Sequence, residues 1–357
     1  VTWLTAGLLF AAAGVALYRM SLRLGSAPEI AMLAVISVCA ATPLLGWSAQ
    51  FFGHVGAGAS LALAFALSTG FGRDETLLSP TSRAILAGAS LSLATSIEYT
   101  AAPIALMIAA YAIWRLTFLP KRTAVIYFVV ALTAAIVAAL PMLIYHSVSF
   151  GGPFRVGYTS VVGFDGMEEG LLGITLPDPT VLWRILFGFR RGIIWLSPVL
   201  IFVPVGFWLA VRYRRGLNAE MLVSLAVIVY YFLLNASYFY WGGGASLGPR
   251  HTLPSLFFMV LPFAAAWAHL KGISRLALIV LFGVSVFLSI ASASVNMTTT
   301  RGWFPIIDPI LLNLFSEQND FIRLTNWGIS PTLVWFGWIA IVSGLVALIW
   351  RGARSAH

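Results

Sequence analysis

Long apolar runs separated by short polar connections dominate the chain. An α-helix rises about 1.5 Å per residue, so roughly 20 apolar residues cross the ~30 Å hydrocarbon layer of a membrane. Runs near this length occur at 2–18, 30–45, 51–71, 125–145, 193–211, 221–239, 253–269, 276–295 and 331–350. The pattern therefore predicts an all-α, polytopic membrane protein.

The stretch 84–114 needs a separate interpretation. It holds one charged residue, Glu98, and is too long for one upright helix but too short for two full spans. We interpret it as a hairpin of two short helices, 84–97 and 101–114, that turn at Glu98 and Tyr99. The prediction is then about eleven membrane segments in a single transmembrane domain, residues 1–357. Because 14 residues of helix reach only about 21 Å, we expect Glu98 within the membrane, either lining a cavity or capping the second helix at the water interface.

Composition agrees with this class of protein. Hydrophobic residues make up 60% of the chain and charged residues 9%, whereas a soluble domain carries about 25% charged residues. The single cysteine excludes a disulfide framework. A net charge of +9 could indicate binding to nucleic acid, but the basic residues follow an orientation pattern instead. We therefore expect membrane lipids, and no nucleic acid, as partners.

The distribution of basic residues predicts the orientation. If the first end lies outside, the inner connections hold 14 of the 21 Lys and Arg residues, at least two in each. This is the arrangement that the positive-inside rule requires. The outer face then carries two long loops, 146–192 and 296–330, and loops of that length are usually functional. The prediction is a protein of the bacterial inner membrane that works on its periplasmic face.

The start of the chain bears on the same pattern. A polytopic chain usually starts on the inner side, whereas the charge rule places Val1 outside. We therefore expect one further span and one outer loop upstream. The alternative is a short translocated N-terminus that begins at Val1.

The segment 238–254, YFYWGGGASLGPRHTLP, holds the first candidate chemistry. Consecutive glycines allow backbone to approach a ligand closely. Arg250 and His251 follow them at the predicted membrane edge, near Tyr240 and Trp241. Since arginine binds phosphate through two parallel hydrogen bonds, the segment predicts a phosphate site. The alternative is an aromatic belt with an arginine that extends to the lipid headgroups.

The segment 183–198, WRILFGFRRGIIWLSP, has a similar character. Arg190 and Arg191 lie at the outer end of a predicted span, where the positive-inside rule disfavours them. We expect them either to hold a diphosphate or lipid phosphate, or to contact anionic lipid headgroups only. If they bind phosphate, this segment and 238–251 should meet at one cavity mouth.

Several other chemistries have no sequence support. The outer-face histidines His54, His146 and His251 have neither HxxxH nor HExxH spacing, so we predict no metal site. The chain has no Walker A motif, GxSxG elbow or CxxC pair.

Five segments together resemble a known family. They are TPLLGWSAQFFGH (42–54), SIEYTAAP (96–103), FGGPFRVGY (150–158), FRRGIIWLSPVL (189–200) and WGGGASLGPRHTLPSLFFMVLPFA (241–264). In this order the chain resembles, over nearly its whole length, the bacterial polytopic glycosyltransferases of the GT-C class. More narrowly, it is similar to the family related to protein mannosyltransferases and lipid A aminoarabinose transferases.

The resemblance implies a GT-C-like fold and a function. Such enzymes pass a sugar from a polyprenyl-phosphate donor to an acceptor at the outer face, and the donor is the only cofactor-like molecule implied. The residues that would hold the carrier phosphate are Arg190, Arg191, Arg250 and His251. The residues that would line the cavity are Glu98, Tyr99, His54, Tyr240 and Trp241.

The resemblance assigns no catalytic residue. The family's catalytic carboxylate belongs to the first outer loop, which we expect to lie upstream of Val1. Two other functions therefore stay open: a catalytically silent structural or accessory subunit of a membrane complex, with other membrane subunits as partners, and a transporter of a lipid-linked substrate.

Overall fold

The computed structural model describes residues 2–72, 78–160, 163–214 and 218–295, together with positions 297–298, 304, 306–312, 314, 333, 336–337 and 340. The all-α prediction is confirmed for these residues, among which no strand occurs. The helices are α1 (Ala6–Arg23), α2 (Pro28–Cys39), α3 (Leu44–Ser48), α4 (Gly53–Ser68), α5 (Pro80–Ile97), α6 (Ala102–Leu116), α7 (Lys121–Phe150), α8 (Pro179–Phe187), α9 (Ile193–Leu196), α10 (Phe202–Arg214), α11 (Ala219–Ser237), α12 (Leu253–Leu256), α13 (Val260–His269) and α14 (Gly272–Val295). Short 3-10 turns occupy Thr2–Leu4, Tyr99–Ala101, Gly157–Ser160, Asp165–Glu168, Pro198–Ile201, Arg250–Thr252 and Phe257–Met259, and Ile306–Leu311 is a π-helical turn.

Five helical stretches are long and apolar enough to cross a membrane. They are Tyr99–Leu116, Lys121–Phe150, Ala219–Ser237, Arg250–His269 and Gly272–Val295. Shorter apolar helices are Pro28–Cys39, Gly53–Ser68 and Pro198–Tyr213. By length and composition these helices indicate a membrane protein. Most of the predicted segment 331–350 and most of the predicted loop 296–330 lie outside the described residues.

The chain reverses direction at Glu98. Arg83, near the start of α5, donates to the carbonyl of Gly70, and Arg115, near the end of α6, donates to the carbonyl of Phe71 over 2.5 Å. Both helices therefore reach the same end of the bundle, and Glu98 lies at the opposite end. This is the course that the hairpin interpretation expects.

Helix α5 begins earlier than the predicted residue 84. Ser79 caps it by accepting a hydrogen bond from the Ser82 amide, and Pro80 occupies its first turn. A side-chain cap followed by proline is a strong helix start. The 18 residues of α5 rise about 27 Å, so Glu98 reaches further toward the membrane surface than a helix of 14 residues would allow.

The bundle has two chemically different ends. At one end arginine side chains donate to backbone carbonyls: Arg23 to Ala66 over 2.8 Å, and Arg275 to Trp267 over 2.8 Å. We call this the inner end, because the charge rule places its basic residues inside. The opposite end, which holds Glu98, is the outer end.

Helix α4 lies at the centre of the core, with most of its residues buried. The ring of Phe65 contacts those of Tyr111 and Phe258. Gly58 lies against the backbone of Pro254, where a side chain would collide. Small residues at such crossings let membrane helices pack closely. This packing holds the outer end of α4 against the segment 250–257.

Candidate functional site

A cavity of about 600 Å³ opens at the outer end of the bundle. Its volume lies within the range of small-molecule sites, roughly 300–1,000 Å³. Most of its wall is apolar or aromatic. The aromatic lining residues are Phe52, Tyr99, Tyr158, Phe164, Tyr230, Tyr238, Phe239 and Tyr240.

Four polar side chains with acid, base or cationic character converge in this cavity: His54, Glu98, Arg250 and His251. Oε1 of Glu98 lies 3.3 Å from Nδ1 of His54. The His54 and His251 rings meet edge to face, with 4.9 Å between their centroids. Residues from α4, from the connection between α5 and α6, and from the 3-10 turn at 250–252 therefore form one polar cluster.

The side chain of Glu98 faces the cavity and does not cap a helix. Its backbone is extended, with φ −142° and ψ 116°, and its side chain makes no capping hydrogen bond. Burial raises the pKa of the Glu98 carboxyl to about 7, and the positive charge of Arg250 opposes this rise. Of the two positions left open by the sequence, the structure favours the cavity wall.

Arg250 lies over an aromatic ring in the cavity wall. Its Cζ is 5.0 Å from the ring centroid of Phe52. Its Nε is buried, as is Nε2 of His251, and neither atom has a hydrogen-bond partner among the described residues. Buried polar groups are normally hydrogen-bonded, so these two nitrogens, on residues that line the cavity, are candidate ligand-binding groups.

The two other predicted arginines lie behind or beside the wall. Arg191 is buried, and its Nη2 donates to the carbonyl of Gly244 over 2.6 Å, so the segments 183–192 and 238–251 are in contact. Burial, with the nearby charges of Arg190 and Arg250, lowers the pKa of Arg191 to about 10, which leaves it charged at neutral pH. Arg190 is exposed. Of these arginines, the described cavity wall includes Arg250 alone.

The glycine run shapes the wall next to Arg250. Gly243 and Gly244 have φ of +66° and +62°, a conformation that favours glycine. A side chain on Gly244 would collide with the hydroxyl of Tyr240, which does line the cavity. Trp241 lies off the described wall: its ring is 5.8 Å from Cζ of Arg184.

Tyr99 lines the cavity and is held from behind by a histidine. Its hydroxyl is 2.7 Å from Nε2 of His146, and Nδ1 of His146 is 3.2 Å from the carbonyl of Pro153. Both ring nitrogens of His146 are therefore engaged. His146 fixes the orientation of Tyr99 and does not face the cavity itself.

Sequence reasoning missed the loop that covers the cavity. Its apolar lining residues are Phe164, Met167, Leu171, Leu172 and Ile174. Backbone hydrogen bonds from Phe239 to Gly173, 2.9 Å, and from Thr175 to Ser237, 2.8 Å, join this loop to the end of α11. Apolar residues between glycines, within a loop already predicted to be functional, were the available signal.

Comparison with protein-family models, with curated proteins and with solved structures finds no match to this chain. The family resemblance therefore stays a prediction. Among the described residues, no group of three His, Cys, Asp or Glu side chains is arranged to hold a metal ion.

Proposed function

We propose that the chain is a glycosyltransferase of the outer membrane face that takes a sugar from a polyprenyl-phosphate donor. The observation that carries this proposal is the buried, unsatisfied Nε of Arg250 in an aromatic cavity at the outer end. A guanidinium recognises phosphate oxygens through paired hydrogen bonds. Aromatic faces offer surfaces for a sugar ring, and the volume of about 600 Å³ suits a sugar and its phosphate.

The proposal includes a topology. It comprises eleven membrane segments with GT-C-like organisation in a bacterial inner membrane, with the cavity on the periplasmic side. Support comes from the 14-to-7 division of basic residues and from the reversal of the chain between α5 and α6.

Replacement of Arg250 tests the phosphate assignment. Lysine keeps the charge but loses the planar fork and the contact with Phe52. We expect Arg250→Lys and Arg250→Ala each to lower sugar transfer by about 30- to 1000-fold, equivalent to about 2–4 kcal/mol of transition-state stabilisation. The measurement is transfer from a polyprenyl-phosphate-linked sugar by the full-length protein in membranes.

Arg212→Lys provides a matched control. Arg212 also lies over an aromatic ring, with Cζ 5.5 Å from the Trp208 centroid, but at the inner end. We expect its transfer rate to equal that of the unmodified protein. Near-normal transfer by Arg250→Ala would contradict the assignment. Carrier binding without transfer would favour the silent-subunit function.

A further inference from the structure

Arg191 differs from its neighbour Arg190 in its surroundings. Arg190 is exposed, whereas Arg191 is buried, with 7% of its surface accessible. The turn between α8 and α9 places it there, since the amides of Arg191 and Gly192 both donate to the carbonyl of Gly188. Burying a guanidinium is unfavourable unless the group is hydrogen-bonded. We therefore expect Arg191, which lies off the described cavity wall, to hold another part of the protein.

Arg191 contacts the glycine segment 242–244. Its Nη2 donates to the carbonyl of Gly244 over 2.6 Å, and a Cβ on Gly242 would lie 3.9 Å from its Nε. A hydrogen bond from a charged donor is roughly twice as strong as one between neutral groups, and low polarity around it adds to its strength. This contact therefore fixes the glycine segment to the connection between α8 and α9.

The glycine segment in turn confines Arg250. A Cβ on Gly243 would lie 3.1 Å from both Cγ and Nε of Arg250, so the backbone of Gly243 packs directly against that side chain. The amide of Gly243 donates to the carbonyl of Tyr240 over 2.9 Å, which closes the turn. The segment thus contacts both arginine side chains, and a shift of the segment would displace Arg250.

We infer that Arg191 is a positioning residue for Arg250, which it holds in the cavity wall through the glycine segment 242–244. This inference rests on the proposed function, in which Arg250 holds the carrier phosphate. The role differs from the direct phosphate contact that the sequence predicted for Arg191. A guanidinium that is held in place before the ligand arrives loses less conformational freedom on binding. Loss of Arg191 should therefore weaken carrier binding although Arg250 is retained.

Equilibrium binding of radiolabelled decaprenyl phosphate to the full-length protein in detergent tests this role. Arg191→Met removes the donor and the charge but keeps an unbranched side chain. We expect the Kd to rise by about 10- to 100-fold, because a small displacement of a positioned group has effects of this size. Arg155→Met removes an exposed charge at the same end and is the matched control. Equal weakening in both variants would overturn the inference, since only the total positive charge would then matter.

Combined variants show whether Arg191 acts through Arg250. Arg250→Lys keeps the charge, so that carrier binding stays measurable, but loses the fork that Arg191 positions. The loss in the double variant should be smaller than the product of the two single losses. Losses that multiply would overturn the inference. Size-exclusion chromatography is the folding control.

Gly243→Ala displaces Arg250 without altering Arg191. A methyl group there would press on the Arg250 side chain, so the Kd should rise in this variant as well. If Arg191→Met fails to fold, this variant decides the question. Normal carrier binding by Gly243→Ala would show that the glycine segment does not position Arg250, and would overturn the inference.

Hydrogen–deuterium exchange tests the contact without a ligand. Peptides that cover residues 240–250 include the Gly243 amide, which is hydrogen-bonded within the turn. We expect faster deuterium uptake there in Arg191→Met and no change in Arg155→Met, because a loosened segment opens more often. Unchanged uptake in Arg191→Met would overturn the inference. If uptake rises but Arg250→Ala binds decaprenyl phosphate as the unmodified protein does, the carrier site is wrong whereas the contact of Arg191 with the glycine segment stands.

Discussion

At Gly53 the absence of a side chain decides the position of a carboxylate. Gly53→Ala would place a methyl group on Oε1 of Glu98 and push the carboxylate away from His54. The change keeps both Glu98 and His54 in the protein and alters only the contact between them. It therefore tests the contact without removing either side chain. We expect transfer to fall, because the displaced carboxylate would leave its place beside His54 in the cavity wall.

Gly56→Ala is the matched control for this change. Gly56 lies one turn further along α4, and a Cβ there would meet Ile97 at 3.4 Å, an ordinary van der Waals distance. Its transfer rate should therefore be unchanged. Equal losses in both variants would show that α4 tolerates no added methyl group, and would contradict a specific effect on Glu98.

At the scale of elements, the contact between α5 and α7 depends on Gly88. A Cβ on Gly88 would collide with the backbone carbonyl of Ala131 in α7. Backbone cannot move aside without separating the helices, so Gly88→Ala should destabilise the protein by about 1–3 kcal/mol. Thermal unfolding in detergent, followed by size-exclusion chromatography, measures the loss.

Gly283 in α14 provides the opposite case. A Cβ there has open space around it, and alanine favours a helix interior over glycine by roughly 0.5–1 kcal/mol. Gly283→Ala should therefore keep or slightly raise the unfolding temperature. If Gly88→Ala unfolds at the same temperature as Gly283→Ala, the result would contradict a close contact between α5 and α7 at Gly88.

At the scale of the whole molecule, the two ends of the bundle should face different compartments. Phe154, at the outer end, is 85% exposed, and Thr117, at the inner end, is also exposed. Since Cys39 is the only cysteine, a Cys39→Ala background is free of thiols. We expect a membrane-impermeant maleimide to label Phe154→Cys in intact cells, and Thr117→Cys only after the membrane is permeabilised. The reverse result would contradict the proposed orientation.

The hairpin shows how far local sequence determined the architecture. The run 84–114, whose one charged residue is Glu98, is too long for one helix. The later basic loops follow the positive-inside rule only if the chain reverses within this run, which indicated a turn at Glu98. The predicted start of the first hairpin helix, residue 84, was wrong, because the prediction excluded the charged residue Arg83 from the helix. In the structure Arg83 lies inside α5 and donates to the carbonyl of Gly70, so its guanidinium is hydrogen-bonded within the bundle.

The sequence by itself determined that the described part of this chain is all-helical and apolar enough to span a membrane, and it indicated candidate site residues at one end. The length of an apolar run decides whether a helix can span a membrane, and the placement of basic residues decides its orientation. Both depend on how one segment interacts with membrane or water, so each segment can be interpreted by itself. Only the tertiary structure decided which side chains meet. His54 approaches Glu98 and Arg191 reaches Gly244 across the fold, and only Arg250 of the three candidate arginines lines the described cavity wall. Such contacts depend on how helices far apart in the chain pack together, and no local pattern specifies that packing.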